Sequence, residues 1–257
     1  MGGELLAAEW VKVRSVRSTW LSVAAAAVLV AGVGYAVASG TASGWGSMSA
    51  EARARFDPVS EPLFGGVFAQ VVMGTLGVLA VSSEYTTGLI RTSVAATPQR
   101  WRLLAAKAAV LGGFALVVGA VLLGGTFWVD QAVLSPGSGG VSLADPGVFR
   151  AVSYSVLYMV IVTLLGVGVG AVVRHSSGAV AVLFAVVFGV PQVLDHLPPR
   201  WHDDLARFGL ERAAVGAVAV RPAPGVLFSP TVSLLVCAGY AVVALAAAFV
   251  LFERRDV

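Results

Sequence analysis

Charged residues are scarce in this sequence: only 12% of its 257 residues are Asp, Glu, Lys or Arg, and 58% are hydrophobic. An ordinary soluble domain carries about 25% charged residues, so the composition excludes a typical water-soluble surface. Cysteine is nearly absent as well, because Cys237 is the only one. A disulfide framework or a cysteine metal cluster within the chain is therefore excluded.

The chain also lacks the residues that nucleotide hydrolysis or proteolysis would need. A P-loop requires a glycine-rich turn before a lysine, yet neither of the two lysines, Lys12 and Lys107, follows a glycine. His175, His196 and His202 fall in loops or at the ends of apolar stretches, so we expect none of them to act as a base inside the membrane. We therefore expect no enzymatic activity and no cofactor in this chain.

What the sequence contains instead is six long apolar stretches, which we number spans 1 to 6. They lack Asp, Glu, Lys and Arg and are 17 to 23 residues long, close to the roughly 20 residues that one helical membrane crossing needs. Because backbone hydrogen bonds must close internally in lipid, each stretch is predicted to be a helix. The stretches cover residues 20–38, 63–81, 108–129, 152–173, 178–194 and 230–252. We predict an all-α polytopic membrane protein in which residues 1–257 form a single transmembrane domain.

Basic residues are distributed unevenly between the two sides of these spans. If the amino terminus is placed inside, four segments lie on the inner side: residues 1–19, 82–107, 174–177 and 253–257. Together they hold ten of the seventeen Lys and Arg residues. The longer outside segments hold the other seven, which agrees with the positive-inside rule. We predict a cell-membrane protein with both termini cytoplasmic. Because the basic residues sit at span ends, we expect the lipid bilayer as their partner and no nucleic acid.

The segment before span 1 has the pattern of a helix that lies in the membrane interface. Leu6, Trp10, Val13 and Trp20 recur at helical spacing, while charged side chains occupy the other directions. We predict an amphipathic interfacial helix at the amino terminus, the alternative being a solvated tail. Its candidate interfacial residues are Glu9, Trp10, Lys12, Arg14 and Arg17.

The inner loop between spans 2 and 3, residues 82–107, is the most informative segment. Gly88 permits a sharp change of chain direction, the apolar residues between 89 and 95 follow a helical period, and Pro98 closes the element. Arg100 and Lys107 then mark the return to the membrane. A short helix held between two spans can dock a soluble partner. The alternative is an ordinary loop whose basic residues only fix the topology.

This inner loop resembles that of ABC transporter permeases of the type-2 export family. The resemblance rests on residues 84–91 (EYTTGLIR), followed by Pro98, a basic pair and Lys107. Residues 9–20 (EWVKVRSVRSTW) are similar to the start of actinobacterial members of that family. The turn RHSSG at 174–178 and the ending FERRD at 252–256 are similar to theirs as well, so the resemblance extends over the whole chain.

The resemblance implies a membrane subunit that couples ATP hydrolysis on a separate cytosolic ATPase to export of a substrate. It also implies a second six-span unit, as a homodimer or a heterodimer with another permease. The implied coupling residues of the inner loop are Glu84, Tyr85, Thr87, Gly88, Arg91, Pro98 and Arg100. The charge-free spans suggest an amphiphilic or apolar cargo.

Two other functions stay open at this stage. A membrane scaffold without transport activity would tolerate any change in the inner loop that preserves topology. An ion-coupled secondary transporter usually places carboxylates or histidines within its spans, whereas the only large polar groups in the six stretches are Gln70 and Gln192.

Four local features carry narrower predictions. Gly166 and Gly170 have the GxxxG spacing of a helix-packing face, which could join two copies of the chain. Pro191 predicts a kink in span 5. Ser49 predicts the capped start of a short outer helix that ends before Asp57. The outer loop 195–229 matches no motif, so no role is predicted for it.

Overall fold

The secondary structure of the described residues is helical throughout, with no strand among them, in the computed structural model. The structure describes residues 2–89, 100–134, 137–196, 198, 205–221, 226 and 228–254. Six helices in these segments are long and apolar enough to cross a membrane. The predicted all-α fold of a multi-pass membrane protein is therefore confirmed.

All six spans are longer than the charge-free stretches that predicted them. They run Arg17–Ser47, Pro62–Thr86, Trp101–Leu134, Val148–Val173, Ser176–Leu194 and Pro230–Arg254. The helices continue through charged and small polar residues at their ends. Some of these side chains, such as Arg17 and Arg254, are exposed, as at a helix end that reaches the interface, whereas Glu84, Lys107 and Asp130 are buried inside the bundle. Consecutive spans alternate in direction, so both chain termini lie at one end of the bundle. We call that end the terminal face and the opposite end the distal face.

Span 4 is the most buried span and lies between spans 2 and 6. Its contact with span 2 is backbone against backbone: a Cβ on Gly170 would lie 2.7 Å from the Val78 carbonyl oxygen, and one on Gly166 would overlap that of Gly74. On the opposite side of span 4, Gly168 faces span 6 in the same way, at Ala244. The close helix packing that the GxxxG spacing predicts is therefore confirmed, but these glycines pack on span 2 of the same chain and are not left open for a second copy.

Span 5 departs from a regular helix in the turn before Pro191. Residues Ala185–Gly189 form a π-helical turn between the α-helical segments Ser176–Phe184 and Val190–Asp195. The Val190 N–H donates to the Ala185 carbonyl, five residues earlier. Proline cannot donate a backbone hydrogen bond to the residue four positions before it, and its ring crowds that carbonyl. The irregularity that Pro191 predicts thus takes the form of a wide turn.

Two short helices and one aspartate organise the distal face. Ser49 caps helix Ala50–Arg55, its hydroxyl accepting from Ala52 N at 3.1 Å, which confirms the predicted cap. Buried Asp57 then accepts four backbone N–H groups. Its Oδ1 accepts from Val59 (3.0 Å) and Ser60 (2.8 Å), and its Oδ2 from Val220 (2.7 Å) and Arg221 (2.8 Å). Asp57 therefore joins the segment before span 2 to the segment before span 6.

The described part of the outer loop contains a helix, Leu210–Val218, which we call the distal helix. Its inner face, Leu210, Ala213, Ala214 and Ala217, is buried against the spans. Arg150 at the start of span 4 completes its carboxyl end, donating to the Ala217 and Ala219 carbonyl oxygens at 2.8 Å each. The distal helix is thus a packed part of the bundle.

Candidate functional site

A buried cluster of four charged side chains joins three helices at the terminal face. Lys107 of span 3 donates to Glu9 Oε2 and Glu84 Oε1, both at 2.7 Å. Lys12 donates to Glu9 Oε1 and to the same Glu84 Oε1, again at 2.7 Å each. Glu9 and Lys12 belong to the N-terminal helix, Gly2–Ser15, and Glu84 belongs to span 2. We call these four residues the charge cluster.

The sequence around the N-terminal helix explains how two of these residues reach the bundle. Glu9 and Lys12 are three positions apart and therefore share one face of the helix. The helix ends at Ser15, and Val16 has an extended backbone, so the chain turns there before span 1 begins. The Trp20 indole donates to the Arg14 carbonyl at 3.1 Å across this corner.

Two tryptophans, Trp10 in the N-terminal helix and Trp20 at the start of span 1, fasten these two helices to span 3. Trp10 and Trp20 both pack edge-on against Phe114, with ring centroids 6.1 Å and 5.8 Å apart. Edge-to-face aromatic pairs of this kind add about 0.5–1.5 kcal/mol each beyond the area that they bury. The corner and the aromatic contacts together hold the cluster-forming face toward spans 2 and 3.

The cluster is electrically balanced and shielded from water on most sides. Its side chains are 3% (Lys107), 6% (Glu9), 8% (Glu84) and 45% (Lys12) exposed. Partial burial lowers the pKa of Lys12, but hydrogen bonds to Glu84 and Glu9 outweigh this effect, so the pKa is raised above 10.5. The contacts with Glu9 and Glu84 therefore favour the charged form of Lys12.

The cluster lies where the inner loop begins. A cavity of about 470 Å³ adjoins it, and Leu89, the last described residue before residues 90–99, lines this cavity together with all four cluster residues. Gly88 has a φ of +73°, the left-handed conformation that glycine adopts most readily, which confirms that the chain turns there. The first residues of the inner loop thus lie beside the cluster.

The predicted coupling residues divide into three groups in the structure. Glu84 faces the inside of the bundle as a cluster member, so its carboxylate is not part of an exposed docking surface. Thr87 and Gly88 are exposed at the end of span 2. Arg91 and Pro98 lie outside the described residues, as does the side chain of Arg100.

Tyr85, near the end of span 2, contacts the ends of spans 4 and 6 at the terminal face. The Arg174 guanidinium, after span 4, lies 5.0 Å from the centre of the Tyr85 ring, within the range of a cation–π contact. Phe252 of span 6 packs edge-on at 6.4 Å. Tyr85 therefore links the exit of span 2 to spans 4 and 6, beside the links that the cluster makes to span 3.

The predicted interfacial residues take two positions. Trp10 is 40% exposed, and Arg14 and Arg17 are exposed, as expected for side chains that meet lipid headgroups and water. Glu9 and Lys12 instead turn toward the bundle.

The pairing of Glu9 and Glu84 with Lys107 was missed because each residue read alone marks the end of a helix. The sequence did carry one signal for this pairing. Charges are scarce in the chain, and Glu9 and Glu84 are each predicted to lie at the same membrane depth as a lysine.

A second buried charge, Asp130 in span 3, was also missed. The charge-free stretch stopped at Val129, yet the helix continues to Leu134 and carries Asp130 inside, fully buried. Its carboxylate lies against Gly34 of span 1, where a Cβ would be 2.8 Å from Oδ2, and neither oxygen has a hydrogen-bond partner among the described residues. The apolar run Ala132–Leu134 after Asp130 was the sign that the helix goes on. The expectation that Gln70 and Gln192 are the only large polar groups within the spans was thus wrong, because span 3 is longer than the stretch that predicted it.

Comparison of the chain with models of known protein families gives no match, and comparison with curated proteins gives none at the level of significance applied. No group of three or more His, Cys, Asp or Glu side chains that could hold a metal ion occurs in the part of the chain that the structure describes. The charge cluster fastens the N-terminal helix, span 2 and span 3 to one another at the terminal face.

Proposed function

We propose that this chain is the membrane-spanning subunit of an ATP-driven exporter, with ATP hydrolysed on a separate cytosolic ATPase that docks at the inner loop. The terminal face is cytoplasmic in this proposal, and two six-span subunits form one transport path. The observation that carries it is the charge cluster, which ties the helices on both sides of the inner loop to each other and to the N-terminal helix.

The physics of buried ion pairs makes such a joint stiff. Removing one partner of a buried pair costs about 3–5 kcal/mol because it leaves a charge uncompensated in a poorly solvated site. Spans 2 and 3 cannot separate at the terminal face without breaking the bond from Lys107 to Glu84, and the bond from Lys107 to Glu9 holds the N-terminal helix to span 3. A partner that moves the inner loop therefore moves spans 2 and 3 and the N-terminal helix as one body.

Tyr85 extends this body toward the rest of the bundle. Span 2 packs backbone to backbone on span 4 through glycine contacts, and Tyr85 meets Arg174 and Phe252 at the same face. A displacement imposed on the exit of span 2 is thus passed to spans 4 and 6. Nucleotide on the ATPase must bind one arrangement of this assembly better than the other for the cycle to run.

The experiment is co-purification of an ATPase with the tagged chain from its native membranes, in wild type and in Arg91→Glu. We expect an ATPase to accompany the wild type and to be lost from Arg91→Glu. The matched control is Arg254→Glu, which also replaces one arginine on the terminal face by glutamate, at an exposed position in span 6 and outside the inner loop in sequence. Absence of any ATPase from the wild type, or equal retention by both variants, would contradict the proposal.

An ion-coupled secondary transporter is the second candidate, and Asp130 is the observation that favours it. Carboxylates within spans are costly to bury and commonly form proton or cation pathways. The test is uptake into proteoliposomes that contain the chain alone. Transport driven by an ion gradient without nucleotide, and abolished by Asp130→Asn, would establish this candidate and displace the exporter.

A further inference from the structure

A cavity of about 650 Å³ lies in the distal half of the bundle, separate from the charge cluster. Spans 2, 4 and 5 and the distal helix form most of its wall. Its volume falls within the roughly 300–1,000 Å³ of small-molecule sites. The residues that matter for its chemistry are Gln70, Tyr158, Gln192, Glu211, Phe64 and Phe188.

Several polar side chains of this wall have no hydrogen-bond partner among the described residues. Tyr158 is only 5% exposed, yet its hydroxyl makes no hydrogen bond with any residue that the structure describes. The side chains of Gln70 and Gln192, the two large polar groups of the predicted spans, likewise have none there. Gln70 is half-buried and Gln192 is exposed, and both line the cavity with buried Tyr158. Because most buried polar side chains in proteins are hydrogen-bonded and lipid offers no substitute for water, the Tyr158 hydroxyl above all leaves hydrogen-bonding capacity directed at the cavity.

The charge of the wall has one sign. Glu61 and Glu211 line the cavity, and no described Lys or Arg does. Glu61 Oε1 accepts from Asp57 N at 3.0 Å. Glu211, in the first turn of the distal helix, makes no hydrogen bond or ion pair within the described segments. The wall therefore favours a positively charged occupant.

The rest of the wall is apolar and aromatic. Phe64 is 66% and Phe188 38% exposed, and both line the cavity. Phe188 and its neighbour Val187 reach this position within the π-helical turn Ala185–Gly189. Single π-helical turns occur frequently at functional sites, and aromatic faces attract cations. The occupant that fits such a wall has an apolar body and a cationic centre.

We propose that this cavity binds a lipophilic organic cation. Glu211 supplies the countercharge, Tyr158 and Gln70 supply hydrogen bonds, and Phe64 and Phe188 contact the apolar body. The inference rests on the proposed function in one respect, because it takes the bound cation to be the cargo that the exporter moves.

The test is equilibrium binding of radiolabelled tetraphenylphosphonium to the full-length chain in lipid nanodiscs, with binding to empty nanodiscs subtracted. Tetraphenylborate, which has nearly the same shape and the opposite charge, is the competitor. We expect saturable binding of the cation, weak competition by the anion, and an affinity about tenfold lower in Glu211→Gln, as expected for one lost charge-assisted contact. The matched control is Glu51→Gln, an exposed glutamate of the distal face outside the cavity, which should bind like wild type.

Three results would overturn the inference: no saturable binding, equal affinity for the borate, or equal affinities of the two variants. The comparison of cation and anion on wild-type protein does not depend on the folding of a variant, and Tyr158→Phe, which keeps the ring, provides a second test with an expected loss of a few fold. The assay needs no ATPase. If the cation does not bind but an ATPase still co-purifies, only the cation site is refuted. If the cation binds but no ATPase co-purifies, only the proposed exporter function is refuted.

Discussion

Replacing Lys107 by methionine removes the central charge of the cluster while nearly preserving the length of the side chain. Lys107 is 3% exposed and donates to two buried carboxylates at 2.7 Å. Breaking a buried pair from one side costs about 3–5 kcal/mol, so we expect the free energy of unfolding to fall by that amount. Lys12→Met, at a side chain 45% exposed, should cost only about 1 kcal/mol because water can screen the remaining charges.

A double variant separates charge imbalance from lost packing. Lys107→Met with Glu9→Gln removes one charge of each sign and leaves Lys12 facing Glu84. We expect the pair to lose less stability than the sum of the two single changes, by about 1–3 kcal/mol of coupling. A simple sum would mean that the two side chains do not interact.

The chain carries its own reporter for this measurement. Cys237, its only cysteine, is fully buried in span 6, so a fluorogenic maleimide reacts with it only when the bundle opens. Thermal scans with this dye give the order of the variants, and titration with dodecyl sulfate followed by circular dichroism gives the free energies. A stability of Lys107→Met within about 0.5 kcal/mol of wild type, the range of ordinary surface changes, would refute the idea that the cluster joins the helices.

The other predictions concern packing, the distal face and pH. Gly166→Ala should destabilise the chain by about 1–3 kcal/mol because the methyl group overlaps span 2, whereas Gly113→Ala, which meets no atom within 4 Å, should be neutral in the same dye assay. Asp57→Asn should lower the free energy of unfolding by about 2–3 kcal/mol and expose the distal segments to protease, because the Asp57 carboxylate accepts four backbone hydrogen bonds. The control is Asp145→Asn at an exposed position. Equal proteolysis of the two variants would count against the role of Asp57. The pKa of Lys12 is raised in the folded chain, so its stabilisation is complete below pH 10.5 and is lost as the pH rises through the folded value. Unfolding followed by tryptophan fluorescence should show this loss in wild type and a smaller one in Lys12→Arg, and identical pH profiles would contradict it.

The fold was predictable because lipid imposes a strict demand on sequence. A span needs about 20 residues without charge, and each of the six stretches that met this demand is a helix in the structure. The ends were less predictable, since a helix tolerates charge wherever water or another helix compensates it. Asp130 illustrates this limit. A search for charge-free stretches ends span 3 at Val129, so it leaves out Asp130, although the helix continues to Leu134.

Neither the charge cluster nor the lining of the distal cavity could be predicted in this way. Glu9, Glu84 and Lys107 are separated by up to 98 residues, and their meeting depends on how the N-terminal helix turns at Val16. Periodicity reports which residues share a face of one helix, but not which helix covers that face. The same limit explains Gly166 and Gly170, whose spacing indicated a close helix contact without saying that span 2 makes it.

In the proposed exporter, nucleotide on an ATPase bound at the terminal face moves helices at the distal face. This movement can be measured by pulsed electron paramagnetic resonance on the complex recovered by co-purification, with spin labels at Glu51→Cys and Asp145→Cys in a Cys237→Ala background. Both label sites are exposed on the distal face, next to the ends of different spans. We predict that the distance distribution between the labels shifts when the ATPase is trapped with ATP. An unchanged distribution, while the bound ATPase still hydrolyses ATP, would contradict the account.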